Sequence, residues 1–443
     1  MNTEKREPRY IAMKRIDIIS LGCSKNLVES ERLIKQLESK GYKVNFEPEK
    51  PAGDYVVVNT CGFISDAKEE SINTILQLCE LKKQGRIGKI VVMGCLSQRY
   101  LDTLKEEIPE VDFWYGKFDY PDFVKSLPDR SRRKASPNYW ERKITTPSHS
   151  AYLKISEGCN RFCAFCAIPL ITGRHHSRPI EEIEEEVKSL VSDGVKEFNV
   201  IAQDLSAYGT DIYGKSKLAE LVERLANIKG VEWIRLHYAY PKDFPMDVLD
   251  VMAKYDNVCK YLDIALQHIS DPVLSNMRRH VTKDETLNLL KTIREKVPGI
   301  KIRTTLMVGF PGEGEKEFEE LLEFVRTQEF DRMGAFTYCE EEDTYAASQF
   351  PDSLPQEEKD RRLDKLMAAQ QDIAQSLNDK MVGTKQKVLI DRMENGIAYG
   401  RTQYDSPEVD PEVLIRDDSL KPGEFVDVKI IEAYPFELIG QKV

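Results

Sequence analysis

The chain has 443 residues, 41% hydrophobic and 31% charged, and carries a formal net charge of -11. No apolar run approaches the roughly eighteen residues of a membrane-spanning helix, and an acidic chain lacks the basic footprint that tight nucleic-acid binding needs. The polar N-terminus (Met1 to Tyr10) has no apolar leader, so a cytoplasmic protein is expected, in which nine cysteines point to metal ligation rather than disulfides.

Length predicts two to four domains. From Arg15 onward, Ile16 to Leu21, Tyr55 to Asn59 and Ile90 to Met93 read as strands, and Leu27 to Lys40, Ile72 to Leu81 and Tyr100 to Glu107 as helical. This alternation predicts a parallel sheet with helical crossovers, a flavodoxin-like α/β domain over residues 14–130. Each strand ends at a cysteine, in Gly22-Cys23, Thr60-Cys61-Gly62 and Gly94-Cys95. The carboxyl ends of strands in an open parallel sheet share one edge, so these three thiols are expected to converge on an iron-sulfur site. The bland alternative is three buried structural cysteines. Cys79, among Ile75, Leu76 and Leu78, reads as core, and Cys259 and Cys339 lack ligand-like partners. Residues 131–147 read as a linker, and the basic run Arg130, Arg132, Arg133 and Lys134 as a solvated connection.

Residues 148–375 alternate again. Strands are predicted over Tyr152 to Ile155, Glu197 to Ala202, Trp233 to His237, Tyr261 to Leu266, Lys301 to Val308 and Met333 to Thr337. Six strand-helix units imply a partial (β/α)6 TIM-like barrel, whose ligand-binding groups belong at the carboxyl ends of its strands. Gln203, Asp204, His237, Gln267, His268, Arg303 and Gly309 lie at or near strand ends, and Arg174 and Arg178 are candidates for a ligand carboxylate. After the first strand comes Cys159-Asn160-Arg161-Phe162-Cys163-Ala164-Phe165-Cys166. Three thiols in one loop suit a soft metal site, and three protein ligands leave one iron of a 4Fe-4S cube open. A zinc site completed by His175 or His176 is the alternative, although zinc sites favour paired Cys-x-x-Cys units. Phe162 and Phe165 would shield a cluster from water. Pro355 to Lys380 reads as one charged helix, and five short β-like runs after it predict a small antiparallel β-barrel over residues 376–443.

The Cys-x-x-x-Cys-x-x-Cys loop resembles that of the radical S-adenosylmethionine (SAM) superfamily. The order of the three domains resembles the methylthiotransferase family over almost the full length, with an OB-like TRAM domain at the end. The resemblance implies two 4Fe-4S clusters, with Cys159, Cys163 and Cys166 as ligands of the radical cluster and Cys23, Cys61 and Cys95 as ligands of an auxiliary one. SAM would be radical source and methyl donor, and Gln203, His237, Gln267, Arg303 and Gly309 are its candidate contacts.

Four stretches carry a finer resemblance: Leu21 to Glu31 (LGCSKNLVESE), Ala207 to Asp211 (AYGTD), Arg235 to Pro241 (RLHYAYP) and Tyr261 to His268 (YLDIALQH). They resemble the branch that modifies the β-carbon of an aspartate in the decoding-centre protein, number twelve, of the small ribosomal subunit. The implied partners are that ribosomal protein and a flavodoxin-type electron donor, with no membrane. Competing readings are a tRNA adenosine methylthiotransferase and a non-catalytic iron-sulfur scaffold. Met381 to Val443 carries eight Lys or Arg against twelve Asp or Glu, a local net of -4. An acidic terminal barrel is expected to attract a basic ribosomal protein rather than tRNA.

Overall fold

The computed structural model describes residues 14–131 and 137–443, which divide into two compact units between Thr145 and Thr146. Arg132, Arg133 and Lys134 of the expected solvated run lie outside the described residues.

In the first unit the elements run β1 (Arg15–Ser20), α1 (Ser24–Ser39), β2 (Lys43–Phe46), β3 (Tyr55–Thr60), α2 (Ser65–Lys83), β4 (Lys89–Gly94), α3 (Cys95–Glu107), β5 (Phe113–Trp114) and α4 (Tyr120–Ser126). All strand pairs are parallel in the order β2-β1-β3-β4-β5, the flavodoxin arrangement. Strands covered on both faces must be apolar on both. Ile16, Ile18, Val57 and Val91 pack on Leu33, Leu37 and Phe123 on one side, and Val56, Val58, Ile90 and Val92 pack on Ile75, Leu78 and Leu96 on the other. Cys79 is in that second core, as expected. The edge strands β2 and β5 escape the sequence reading because four and two residues are too few to show a period.

Residues 137–145 are not a free tether. Arg142 lies 2.5 Å from Glu31 of α1, both side chains 1% exposed, and the Thr145 N–H donates to the same carboxylate at 2.7 Å. A buried carboxylate needs such partners, so this stretch packs back onto α1.

The second unit begins with β6 (Ser150–Lys154), β7 (Ser156–Glu157), α5 (Ile168–Thr172), β8 (His176–Ser177), α6 (Ile180–Ser192), β9 (Glu197–Ile201), α7 (Thr210–Tyr213), α8 (Leu218–Ala226) and β10 (Trp233–Ala239). It continues with α9 (Asp247–Lys254), β11 (Val258–Gln267), α10 (Asp271–Asn276), α11 (Lys283–Lys296), β12 (Lys301–Val308), α12 (Glu315–Gln328), β13 (Arg332–Thr337) and α13 (Tyr345–Gln349). Six parallel strands in the order β13-β12-β11-β10-β9-β6 make the partial barrel. Helix α14 (Gln356–Asp379) runs through the expected 375/376 division.

After it, β14 (Lys385–Glu394), β15 (Ile397–Thr402), β16 (Glu412–Ile415), β17 (Phe425–Tyr434) and β18 (Glu437–Lys442) close into a barrel in the order β14-β15-β16-β18-β17. The expectation of an all-antiparallel barrel is corrected at one seam, where β16 and β18 are parallel. A closed ring with an odd number of strands cannot alternate direction throughout.

The small barrel is pinned to the amino ends of the large one by ion pairs. Glu197 at the start of β9 is 2.7 Å from Arg401 and 3.1 Å from Arg235. Arg332 at the start of β13 is 2.6 Å from Asp405. The carboxyl ends of the strands are on the other side. Among the described residues no helix is long and apolar enough to cross a membrane.

Candidate functional site

Three loops at the carboxyl edge of the first sheet carry the first thiol set. Cys23 caps the start of α1, Cys61 directly follows β3, and Cys95 opens α3 directly after β4. A β-carbon on Gly22 would lie 2.6 Å from Cys61 Cβ, and one on Gly62 would lie 2.9 Å from the carbonyl carbon of Cys95. The loops approach this closely because glycine presents only backbone.

Asn26 locks them together. Its Nδ2 donates to Leu21 O (3.1 Å) and Thr60 O (3.0 Å), while its Oδ1 is 3.5 Å from Cys95 Sγ and 3.4 Å from Lys117 Nζ. The sequence reading used Asn26 only as part of a family signature. Its available signal was a polar side chain in the first turn after a strand-end cysteine. Burial raises the Cys23 thiol, but the cations Lys25 and Lys117 and the Asn26 N–H outweigh it and hold the group below the usual thiol range. Burial pushes the Cys61 thiol up. Two helix N-termini, those of α1 and α3, add partial positive charge at this edge.

The second thiol set lies in the loop between β7 and α5. Its backbone is fixed by Cys159 N–H to Gly173 O (3.2 Å), Ala164 N–H to Met277 O (2.9 Å) and Ala346 N–H to Ala164 O (2.7 Å). Arg279 donates to Cys163 Sγ at 3.2 Å, and the Tyr240 hydroxyl is 3.7 Å from the same sulfur. Burial pushes Cys159 up to about 12 and raises Cys166 as well. Ionising these thiols therefore calls for a bound cation, which coordination supplies. Phe165 packs edge-on to Phe310 in the core, whereas Phe162 is 43% exposed with Arg174 over its ring. Among the described residues no three His, Cys, Asp or Glu side chains are gathered closely enough to hold a single metal ion.

The strand-end residues fall into different classes. Gln203, just after β9, and Gln267, the last residue of β11, each keep a buried side-chain carbonyl oxygen with no partner. Such atoms suit a ligand that brings donors. Gly309 follows β12, and its N–H donates to Glu313 at 3.0 Å. Glu313 also accepts from Arg362 (2.7 Å) and lies 3.1 Å from the His268 ring, so His268 is a brace of this turn. His237 is buried inside β10, 3.3 Å from Asn199. Asp204 is held by Arg161 at 2.7 Å.

Arg303 is a correction. It is the third residue of β12, at the amino end, and ion-pairs with Asp410 at 2.5 Å. A strand has two ends, and the sequence pattern did not tell which one Arg303 occupies. Arg178 is likewise engaged, with Lys154 O, Glu182 and Glu186. His175 is buried against Ser177 at 2.9 Å, and His176 is exposed.

Family models match residues 15–116 (Uncharacterized protein family UPF0004), 153–325 (Radical SAM superfamily) and 382–443 (TRAM domain). Ribosomal protein uS12 methylthiotransferase RimO from Phocaeicola vulgatus is 60% identical over 430 residues, covering 96% of this chain and 99% of that protein. The protein of the same name from Porphyromonas gingivalis is 56% identical, covering 97% and 99%. Among solved structures, the radical S-adenosylmethionine methyltransferase TsrM from Kitasatospora setae superposes with a TM-score of 0.54 at 14% identity, over 73% of this chain and 72% of that one, a likeness of fold. A radical SAM domain implies an iron-sulfur cluster and SAM as cofactors. With such identity along nearly its whole length, the chain belongs to the ribosomal protein uS12 methylthiotransferase RimO family, SAM-dependent enzymes of the radical SAM superfamily.

Proposed function

We propose that the chain adds a methylthio group to the β-carbon of an aspartate in the small-subunit ribosomal protein uS12, using two 4Fe-4S clusters. Cys159, Cys163 and Cys166 would hold the radical cluster and Cys23, Cys61 and Cys95 the auxiliary one. The observation that carries the reading is the pair of three-thiol sets, one on three loops at the carboxyl edge of the first sheet and the other in the single loop between β7 and α5. The cluster and SAM together supply one-electron removal of a hydrogen atom from a carbon whose proton is too weakly acidic for a side-chain base. Arg279 balances negative charge at Cys163. Gln203 and Gln267 offer carbonyl oxygens to SAM donors, with the Gly309 turn beside them, and His237 lines the barrel beneath. Residues 14–130 form the auxiliary-cluster domain, 148–375 the radical SAM core and 376–443 the TRAM domain. A flavodoxin-type protein delivers the electron in a cytoplasmic setting, and no tight nucleic-acid contact is needed.

Anaerobic reconstitution tests this. About eight irons per chain and a methylthio mass gain on uS12 are expected. The combined variant Cys23→Ala, Cys61→Ala and Cys95→Ala should hold about half the iron and still cleave SAM without that mass gain. A mass gain on tRNA instead, or a wild-type chain with only one cluster, would sink the reading.

A further inference from the structure

The segment between α10 and α11 lies against the loop of Cys159, Cys163 and Cys166. Ala164 donates its N–H to Met277 O at 2.9 Å and accepts from the Ala346 N–H at 2.7 Å. The chain neighbours of those two partners, Arg278 and Tyr345, meet beside the loop, with the Arg278 guanidinium carbon 3.2 Å from the centre of the Tyr345 ring. Arg278 has a left-handed backbone (φ +55°), which costs a non-glycine residue energy and persists only where the surroundings hold it. Its N–H on Ser275 O (3.0 Å) and the buried Met277 side chain do so here.

Other guanidinium groups at this loop are occupied. Arg161 pairs with Asp204 and Asp243, and Arg279 donates to Cys163 Sγ at 3.2 Å. Among the described residues the Arg278 guanidinium donates to no acceptor. Arg174, 5.4 Å from the Phe162 ring, has none either, but it is exposed, whereas Arg278 is half-buried. A half-buried guanidinium held on an aromatic ring keeps its N–H fork ready for a carboxylate, and water screens that pair less.

Just before Tyr345, the loop after β13 exposes Glu340, Glu342 and Asp343. Thr344 fixes this loop, its N–H and hydroxyl both donating to Glu341 O (3.3 and 2.6 Å). One unpaired guanidinium bordered by acids fits a basic segment that carries a single carboxylate. The acids attract the segment's cations and repel any carboxylate that does not reach Arg278. In aspartate the β-carbon is bonded to the carboxylate carbon, so a cation that holds the carboxylate also places the reacting carbon.

Resting on the reading that uS12 is modified at an aspartate β-carbon, we propose that Arg278, stacked on Tyr345, receives the carboxylate of that aspartate and positions its β-carbon beside the radical cluster.

The test titrates the reconstituted full chain with uS12, and with uS12 whose target aspartate is changed to asparagine. Anaerobic calorimetry with SAM and without reductant keeps the substrate unmodified. The parent should bind the aspartate form about tenfold or more tightly than the asparagine form. In Arg278→Met, at the parent's iron content, the two forms should bind within about twofold of each other. A general loss of fold or docking would weaken both forms alike and leave the ratio standing. Should Arg278→Met hold less iron, Arg278→Gln, which keeps donors and loses the charge, is judged by the same ratio. An undiminished preference in the variant, or no preference in the parent, overturns the proposal. If the parent still adds a methylthio group to uS12 under reductant, either result defeats Arg278 alone. A parent that leaves uS12 unmodified defeats the functional reading and this proposal with it.

Discussion

Asn26 and Gly22 show how little material positions the first thiol set. One side-chain amide reaches the carbonyls of Leu21, just after β1, and Thr60, the last residue of β3, and one missing β-carbon leaves room for Cys61. In Gly22→Ala the new methyl group would meet Cys61 Cβ at 2.6 Å and Sγ at 2.8 Å, at a backbone φ of +87° that favours glycine. On the proposed two-cluster reading, iron content is expected to fall by about half with SAM cleavage kept, because the methyl group disturbs only the first thiol set. Full iron content would show that the loop relaxes around the methyl group. At this scale the strand-end places of Cys23, Cys61 and Cys95 and the single loop of Cys159, Cys163 and Cys166 were legible, since spacing is a property of the chain. The place of Lys117 beside Asn26 was not, because α3 folds its loop over this edge.

The amino ends of the large barrel's strands close on the small barrel through buried charges as well as an apolar patch, in which Trp233 and Tyr261 pack with Leu389 and Phe425. Glu197 is fully buried between Arg401, Arg235 and Ser150. Burial raises its carboxyl, but the two guanidinium groups outweigh this and hold it well below the usual carboxylate range. Its folded-state value therefore lies below the unfolded value of about 4.3, so its stabilisation is complete above that pH and fades as pH falls toward the folded value. Glu197→Gln takes the carboxylate away from buried Arg235 and leaves Arg401 with Asp391 alone, and should cost about 3–5 kcal/mol. Thermal unfolding should begin earlier at neutral pH, trypsin should release the terminal barrel sooner, and the difference from the parent should narrow on acidification below about pH 4. A variant as stable as the parent at pH 7 would remove Glu197 from the docking. The strands and helices of this region were readable from periodicity, but these pairs join residues as distant in sequence as Glu197 and Arg401.

Over the whole molecule, net charge is a weaker guide than its placement. Of the twelve acidic residues after Met381, Asp391 and Asp405 pair internally with Arg401 and Arg332, and Asp410 with Arg303. Asp418 and Glu437, with Asp417 (3.7 Å from Lys442) and Glu432 (accepting from the Tyr434 hydroxyl at 3.1 Å), line a groove of about 1150 Å³ on the small barrel that also takes in Arg416 and Ile431. If this face docks the basic protein uS12, replacing those four acids by lysine should weaken the complex by about tenfold or more at low salt, with the difference shrinking as salt is raised. Equal binding at low salt, measured by calorimetry, would place the docking surface elsewhere. The sequence by itself determined the α/β class of both larger domains, the two sets of three cysteines and the closing small barrel, because periodicity and spacing are local. Only the tertiary structure decided that Arg303 faces Asp410, that β16 and β18 pair in parallel, and that residues 137–145 pack on α1. Each of these depends on which strand ends and which distant charges share one buried volume, and a chain acquires that property only by folding.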